Sequence, residues 1–157
     1  MLRRLFAIPA TAAGVAVLLA AGSAAPAAAR PSSPPPSICS GVLRVNSFAF
    51  DPPSVFAGKS SAAALTATNC TGQSQAVAET WTGRFSSDSS SGTGIPPGCP
   101  VLDPYPRPVT FGPHERVTTS TTYTTFAGCT ATRLTVTVTI TQGGTQLARR
   151  SADLVIM

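Results

Sequence analysis

Histidine is nearly absent from this 157-residue chain: His114 is the only one. A single imidazole leaves little room for a Ser-His-Asp site, and no Gly-x-Ser-x-Gly elbow accompanies the many serines, although Asp88 and Asp103 are available. His114 itself lies in Phe111-Gly112-Pro113-His114-Glu115, a turn composition in which a polar residue is expected whatever the function. Metal ligation lacks material too, with one imidazole, no two acidic residues at a ligand-like spacing, and cysteines that have another use. Gly-rich phosphate loops are missing, so no cofactor, no metal and no catalytic residue are expected, and the chain reads as non-enzymatic. No window shows a helical repeat. After the first thirty residues no apolar run can span a bilayer, and Leu154 to Met157 is too short to try, so no membrane insertion is expected of the processed protein.

What is there begins with Arg3 and Arg4, the apolar run Leu5 to Ala21, and Ala27-Ala28-Ala29 ahead of Arg30-Pro31. A positive n-region, an apolar h-region and a small-x-small site predict a secretory signal peptide over residues 1–29. Gly14, Gly22 and Pro26 interrupt the segment, which favours cleavage over a retained anchor. Export places Cys39, Cys70, Cys99 and Cys129 in an oxidising compartment, where they are expected to form two disulfides. The formal charge of +5 falls to +3 once Arg3 and Arg4 leave, and the remaining basic residues are scattered, so no nucleic-acid partner is expected. The preference for Arg, Ala, Thr, Ser and Pro resembles the coding bias of a GC-rich bacterium. Asn69-Cys70-Thr71 matches the N-glycosylation pattern, which would matter only on a eukaryotic secretory route.

Residues 30–38 carry four prolines and read as an extended, mobile spacer. Order is expected over 39–157, where Thr, Val and aromatic residues alternate in runs divided by Gly, Pro and Asn clusters. The spacing predicts strands near 42–50, 61–69, 75–85, 109–111, 116–126, from Arg133 to Thr141, and 145–156, the last two joined by a Gln142-Gly143-Gly144 hairpin. Leu134, Val136, Val138 and Ile140 share one face and Arg133, Thr135, Thr137, Thr139 and Thr141 the other, the signature of a sheet with one wet face. Seven such strands resemble the secreted bacterial immunoglobulin-like or fibronectin-like domains, and that resemblance implies a single all-β domain, a seven-stranded antiparallel sandwich with two disulfides. Up-and-down alternation puts Cys39 and Cys70 at one end and Cys99 and Cys129 at the other, predicting the pairs Cys39–Cys70 and Cys99–Cys129.

Two places stand out as binding candidates. Alternation sets Val77, Glu79 and Trp81 on one face, so either that face is exposed and Trp81 anchors a partner, or Trp81 is a core residue like the tryptophan of immunoglobulin domains. The Pro-rich segment 86–108 contains Val101, Leu102, Tyr105 and Arg107, and six prolines plus a disulfide would hold it stiff enough to bind at low entropic cost. Cys99-Pro100-Val101-Leu102-Asp103-Pro104 also resembles the reactive loop of the secreted subtilisin inhibitors, which implies Val101 in a protease specificity pocket and Leu102 after the scissile bond. The expected function is an extracellular binding or structural module for a protein or glycan of unknown identity, with serine protease inhibition as the alternative.

Overall fold

The computed structural model of the protein describes residues 39–87 and 94–157. The expected leader and spacer, and residues 88–93, lie outside them. All described residues belong to one compact unit, Ser37–Met157. They form eight strands: β1 (Leu43–Asp51), β2 (Ser54–Val55), β3 (Ser60–Asn69), β4 (Gln75–Ser86), β5 (Tyr105–Phe111), β6 (Arg116–Thr124), β7 (Arg133–Gln142) and β8 (Thr145–Ile156). One sheet has the order β1-β3-β6 and the other β2-β8-β7-β4-β5. Among the described residues there is no helix, and so none long and apolar enough to cross a membrane.

The expected count of seven antiparallel strands is corrected to eight. The addition is β2, whose two residues pair in parallel with Val155 and Ile156 at the end of β8. So short a strand leaves no alternation to detect, and its pairing exists only once β8 is in place.

The core follows from the period-2 pattern. From β3, Ala63, Leu65 and Ala67 point inward; from β7, Leu134, Val136, Val138 and Ile140 do the same. In β1 the pattern changes parity. A bulge between Val45 and Ser47 inserts Asn46, so that Leu43 and Val45 face inward before it while Phe48 and Phe50 do so after it. The two phenylalanines then meet the core aromatics edge-on, Phe48 against Trp81 at 5.5 Å and Phe50 against Tyr123 at 5.9 Å. Strand β5 starts at Tyr105 rather than near Val109, and it accepts Pro106 and Pro108 because it is the edge of its sheet.

The disulfides Cys39–Cys70 and Cys99–Cys129 brace opposite ends, with Cα–Cα distances of 5.4 Å and 4.3 Å. At the Cys39–Cys70 end the buried Asn69 organises the loops. Its Nδ2 donates to the carbonyls of Gln73 and Gly112, and its Oδ1 accepts from the backbone and hydroxyl of Thr71. Both ends of that amide are committed, so Asn69 is structural and not a glycan acceptor.

Candidate functional site

The alternation that put Val77, Glu79 and Trp81 on one face of β4 holds, and the face is the inner one: Glu79 and Trp81 are each 1% exposed. A buried carboxylate must find partners. Trp81 Nε1 donates to Glu79 Oε2 at 3.0 Å, and the Thr119 hydroxyl, from β6 in the facing sheet, donates to the same oxygen at 2.8 Å. Arg107, opposite Glu79 in the β4–β5 register, supplies the charge at 3.8 Å. Its Nη1 donates to the Ser120 carbonyl and its Nη2 to the Thr121 hydroxyl, while the guanidinium lies 4.9 Å from the centre of the Trp81 ring and 5.7 Å from that of Tyr105. The cluster thus ties the free edge of β6 to the edge strand β5 and bridges the two sheets along that side. Each contact is internal: Glu79 and Trp81 are buried in the core, whereas Arg107 keeps 21% of its side chain exposed. Tyr105 remains exposed, but its ring is stacked on Arg107. On β6, burial raises the phenol pKa of Tyr123 above the ordinary tyrosine value, and the positive charge of Arg107 partly opposes this.

Val101 and Leu102 part company. Val101 is 70% exposed, whereas Leu102 is half-buried against the core. A Cβ built on Gly83 would lie 2.5 Å from Leu102 Cδ1, so the absence of a side chain at Gly83 is what lets Leu102 seat on β4. Gly83, Arg84, Phe85, Ile95, Pro100, Val101 and Leu102 line a shallow groove of about 260 Å³ there. Leu102 is thus packed against β4 at the groove while Val101 faces solvent.

His114 occupies the β5–β6 turn with a φ of 54°; its backbone N–H donates to the Thr71 carbonyl, and Glu115 Oε2 accepts from Gly112 N at 2.5 Å. Among the described residues no group of three His, Cys, Asp or Glu side chains could hold a metal ion.

The outer face of the five-stranded sheet carries a different chemistry. The pairing register lays out three rows across β4, β7 and β8: Arg84, Thr135 and Asp153; Thr82, Thr137 and Ser151; Thr80, Thr139 and Arg149. Arg133 stands on the same face, 3.4 Å from Asp153, whose other oxygen accepts from the Thr135 hydroxyl at 2.6 Å. Three arginines and a field of hydroxyls therefore face away from the core, with Asp153 as the one acid in these rows. The sequence concealed this because the three arginines are separated by long stretches of chain.

These features define an all-β, two-sheet protein braced by two disulfides. No family model and no curated protein matches the chain. Among solved structures it is similar to the Pseudomonas fluorescens alkylpurine DNA glycosylase AlkC bound to DNA containing an abasic site analog, at a TM-score of 0.52 and 11% identity over 76% of this chain. The match spans 31% of that protein, and at this identity the likeness is one of fold. It nevertheless corrects the exclusions drawn from composition. A protein that shares this fold is an enzyme and is bound to DNA, so neither a non-enzymatic module or protease inhibitor nor the absence of a nucleic-acid partner stands as expected. The physical reason is that net charge averages over a whole surface, whereas phosphate contact needs only a local group of cations.

Proposed function

We propose that the chain is an exported, immunoglobulin-like sandwich that contacts DNA through the outer face of its five-stranded sheet. The gathering of Arg84, Arg133 and Arg149 among threonine and serine hydroxyls on that one face carries the reading. Arginines and hydroxyls are the groups that hold phosphate oxygens, and they do so without reading sequence. The likeness to a DNA-bound protein supports the choice of polyanion. Export is supported by the leader-like N-terminus together with the two disulfides, and the DNA would then be extracellular.

Anisotropy of a labelled DNA duplex tests this. Contact with about three phosphates gives a slope of log affinity against log salt near −3, and removing one arginine flattens it by about 1. Arg84→Ala and Arg149→Ala are outer-face changes that should leave the far-ultraviolet circular dichroism spectrum unchanged. Absence of binding at low salt, or a slope that neither variant alters, would sink the proposal.

A further inference from the structure

Exposed apolar side chains are unevenly placed in this molecule. Phe56 is 65% exposed, Phe126 51%, Ile95 51% and Val101 70%, and all four lie at the end of the sandwich that holds Cys99–Cys129. The turns of the opposite end carry no large exposed apolar side chain among the described residues.

The loops bearing these four groups are joined to one another. The hydroxyl of Thr125 donates to the carbonyls of Phe56 and Lys59, and its backbone N–H also donates to that of Lys59. Gly58 faces Ala127, with a built Cβ 3.7 Å from the alanine methyl. Thr130 N–H donates to the Pro97 carbonyl, and the disulfide fixes 99 to 129. Phe56-Ala57-Gly58 and Phe126-Ala127-Gly128 therefore stand side by side as two turns of like sequence, with Ile95 and Val101 across the disulfide. Residues 55–59, 95–102 and 125–132 contain a single ionisable side chain, and it is the cation Lys59.

We propose that this end of the sandwich is a lipid-contact crest, which docks on a bilayer surface bearing anionic headgroups. Phe56 and Phe126 would enter the headgroup–acyl boundary while Lys59 pairs with phosphate. Three points favour lipid over a protein partner. The apolar groups sit on turn tips rather than on a sheet face. They are distributed over three loops rather than gathered on one strand. Lys59, with Arg84 beside Ile95 and Val101, complements a phosphate surface. The contact is peripheral and needs no spanning segment, and it adjoins the DNA-contact face at Arg84, which lines one groove with Ile95 and Val101.

The test is co-sedimentation of the exported protein with phosphatidylcholine vesicles, with and without phosphatidylglycerol. The expected result is pelleting that falls roughly tenfold or more in Phe56→Ser/Phe126→Ser, since each exposed ring contributes its transfer energy only when inserted. Lys59→Glu should weaken binding to the anionic vesicles and leave the zwitterionic ones unaffected. Because all three side chains are at the surface, the circular dichroism spectrum and disulfide map should match the parent protein. Three results would overturn the proposal: no pelleting with either vesicle, pelleting undiminished in the double phenylalanine variant, or a solution dimer that the same variant dissociates. The last would assign the crest to a second copy of the chain.

Discussion

The Arg107 guanidinium lies 4.9 Å from the centre of the Trp81 ring, and the indole N–H of that same tryptophan donates to Glu79 Oε2. A cation, a ring and an anion are thus clamped between two sheets. Removing the carboxylate strands two donors and leaves Arg107, itself only 21% exposed, without its counter-charge. Glu79→Ala should therefore cost about 3 to 5 kcal/mol. Glu79→Gln keeps an acceptor for Trp81 and Thr119 and should cost roughly half as much. Guanidinium chloride unfolding measures both; near-equal losses would mean that the charge contributes more than the hydrogen bonds.

The burial of Trp81 has a spectroscopic consequence. As the chain's single tryptophan, it should emit at short wavelength and resist iodide quenching until the protein unfolds. Neither DNA nor lipid should shift that emission, because Trp81 points into the core, on the opposite face of β4 from Thr80, Thr82 and Arg84. A red-shifted, readily quenched signal from the native protein would return Trp81 to the surface.

Much of this fold was legible from alternation alone, and what was hidden depended on contacts distant in sequence. Strand β7 could be read residue by residue, since Leu134, Val136, Val138 and Ile140 alternate with Arg133 and four threonines. Glu79 was legible as sharing a face with Val77 and Trp81, but neither the burial of that face nor its partners were: Thr119 arrives from the facing sheet and Arg107 from across a long loop. Prolines 106 and 108 read as breakers because nothing local reveals that β5 is an edge. The cationic face escaped notice for the same reason. Arg84, Arg133 and Arg149 belong to three strands that become neighbours only through the β8-β7-β4 order. Both disulfides, by contrast, follow from counting strand directions.

Two glycines separate backbone strain from close packing. Gly98 has a φ of 72° and Gly41 a φ of 75°, a region that side chains rarely adopt. A Cβ on Gly98 would lie 1.8 Å from the Gly128 carbonyl oxygen, while one on Gly41 would meet nothing within 4 Å. Gly41→Ala should cost only the conformational strain, about 1 kcal/mol. Gly98→Ala must also push apart the two loops held by Cys99–Cys129, for a total of about 3 kcal/mol or more. Thermal unfolding of the two variants compares them directly. Equal shifts would show that loop packing at residue 98 yields easily.

Tyr123 makes stability fall at alkaline pH. Burial raises its phenol pKa above the ordinary value, against the opposing pull of Arg107, so the folded protein holds this proton more tightly than the unfolded chain does. The resulting stability is fully present below about pH 10, the unfolded tyrosine value, and is lost as pH rises through the higher folded value. Urea midpoints measured across that window should decline in the parent protein and decline less in Tyr123→Phe. Arg107→Gln removes the opposing charge, so it should move tyrosinate absorbance to still higher pH, most cleanly in a Tyr105→Phe background that leaves Tyr123 as the only phenol. If Tyr123→Phe loses stability over the same range and to the same extent as the parent, the alkaline decline arises elsewhere. If Arg107→Gln lowers the titration instead, the guanidinium matters less as a charge than as the group that keeps water from the ring.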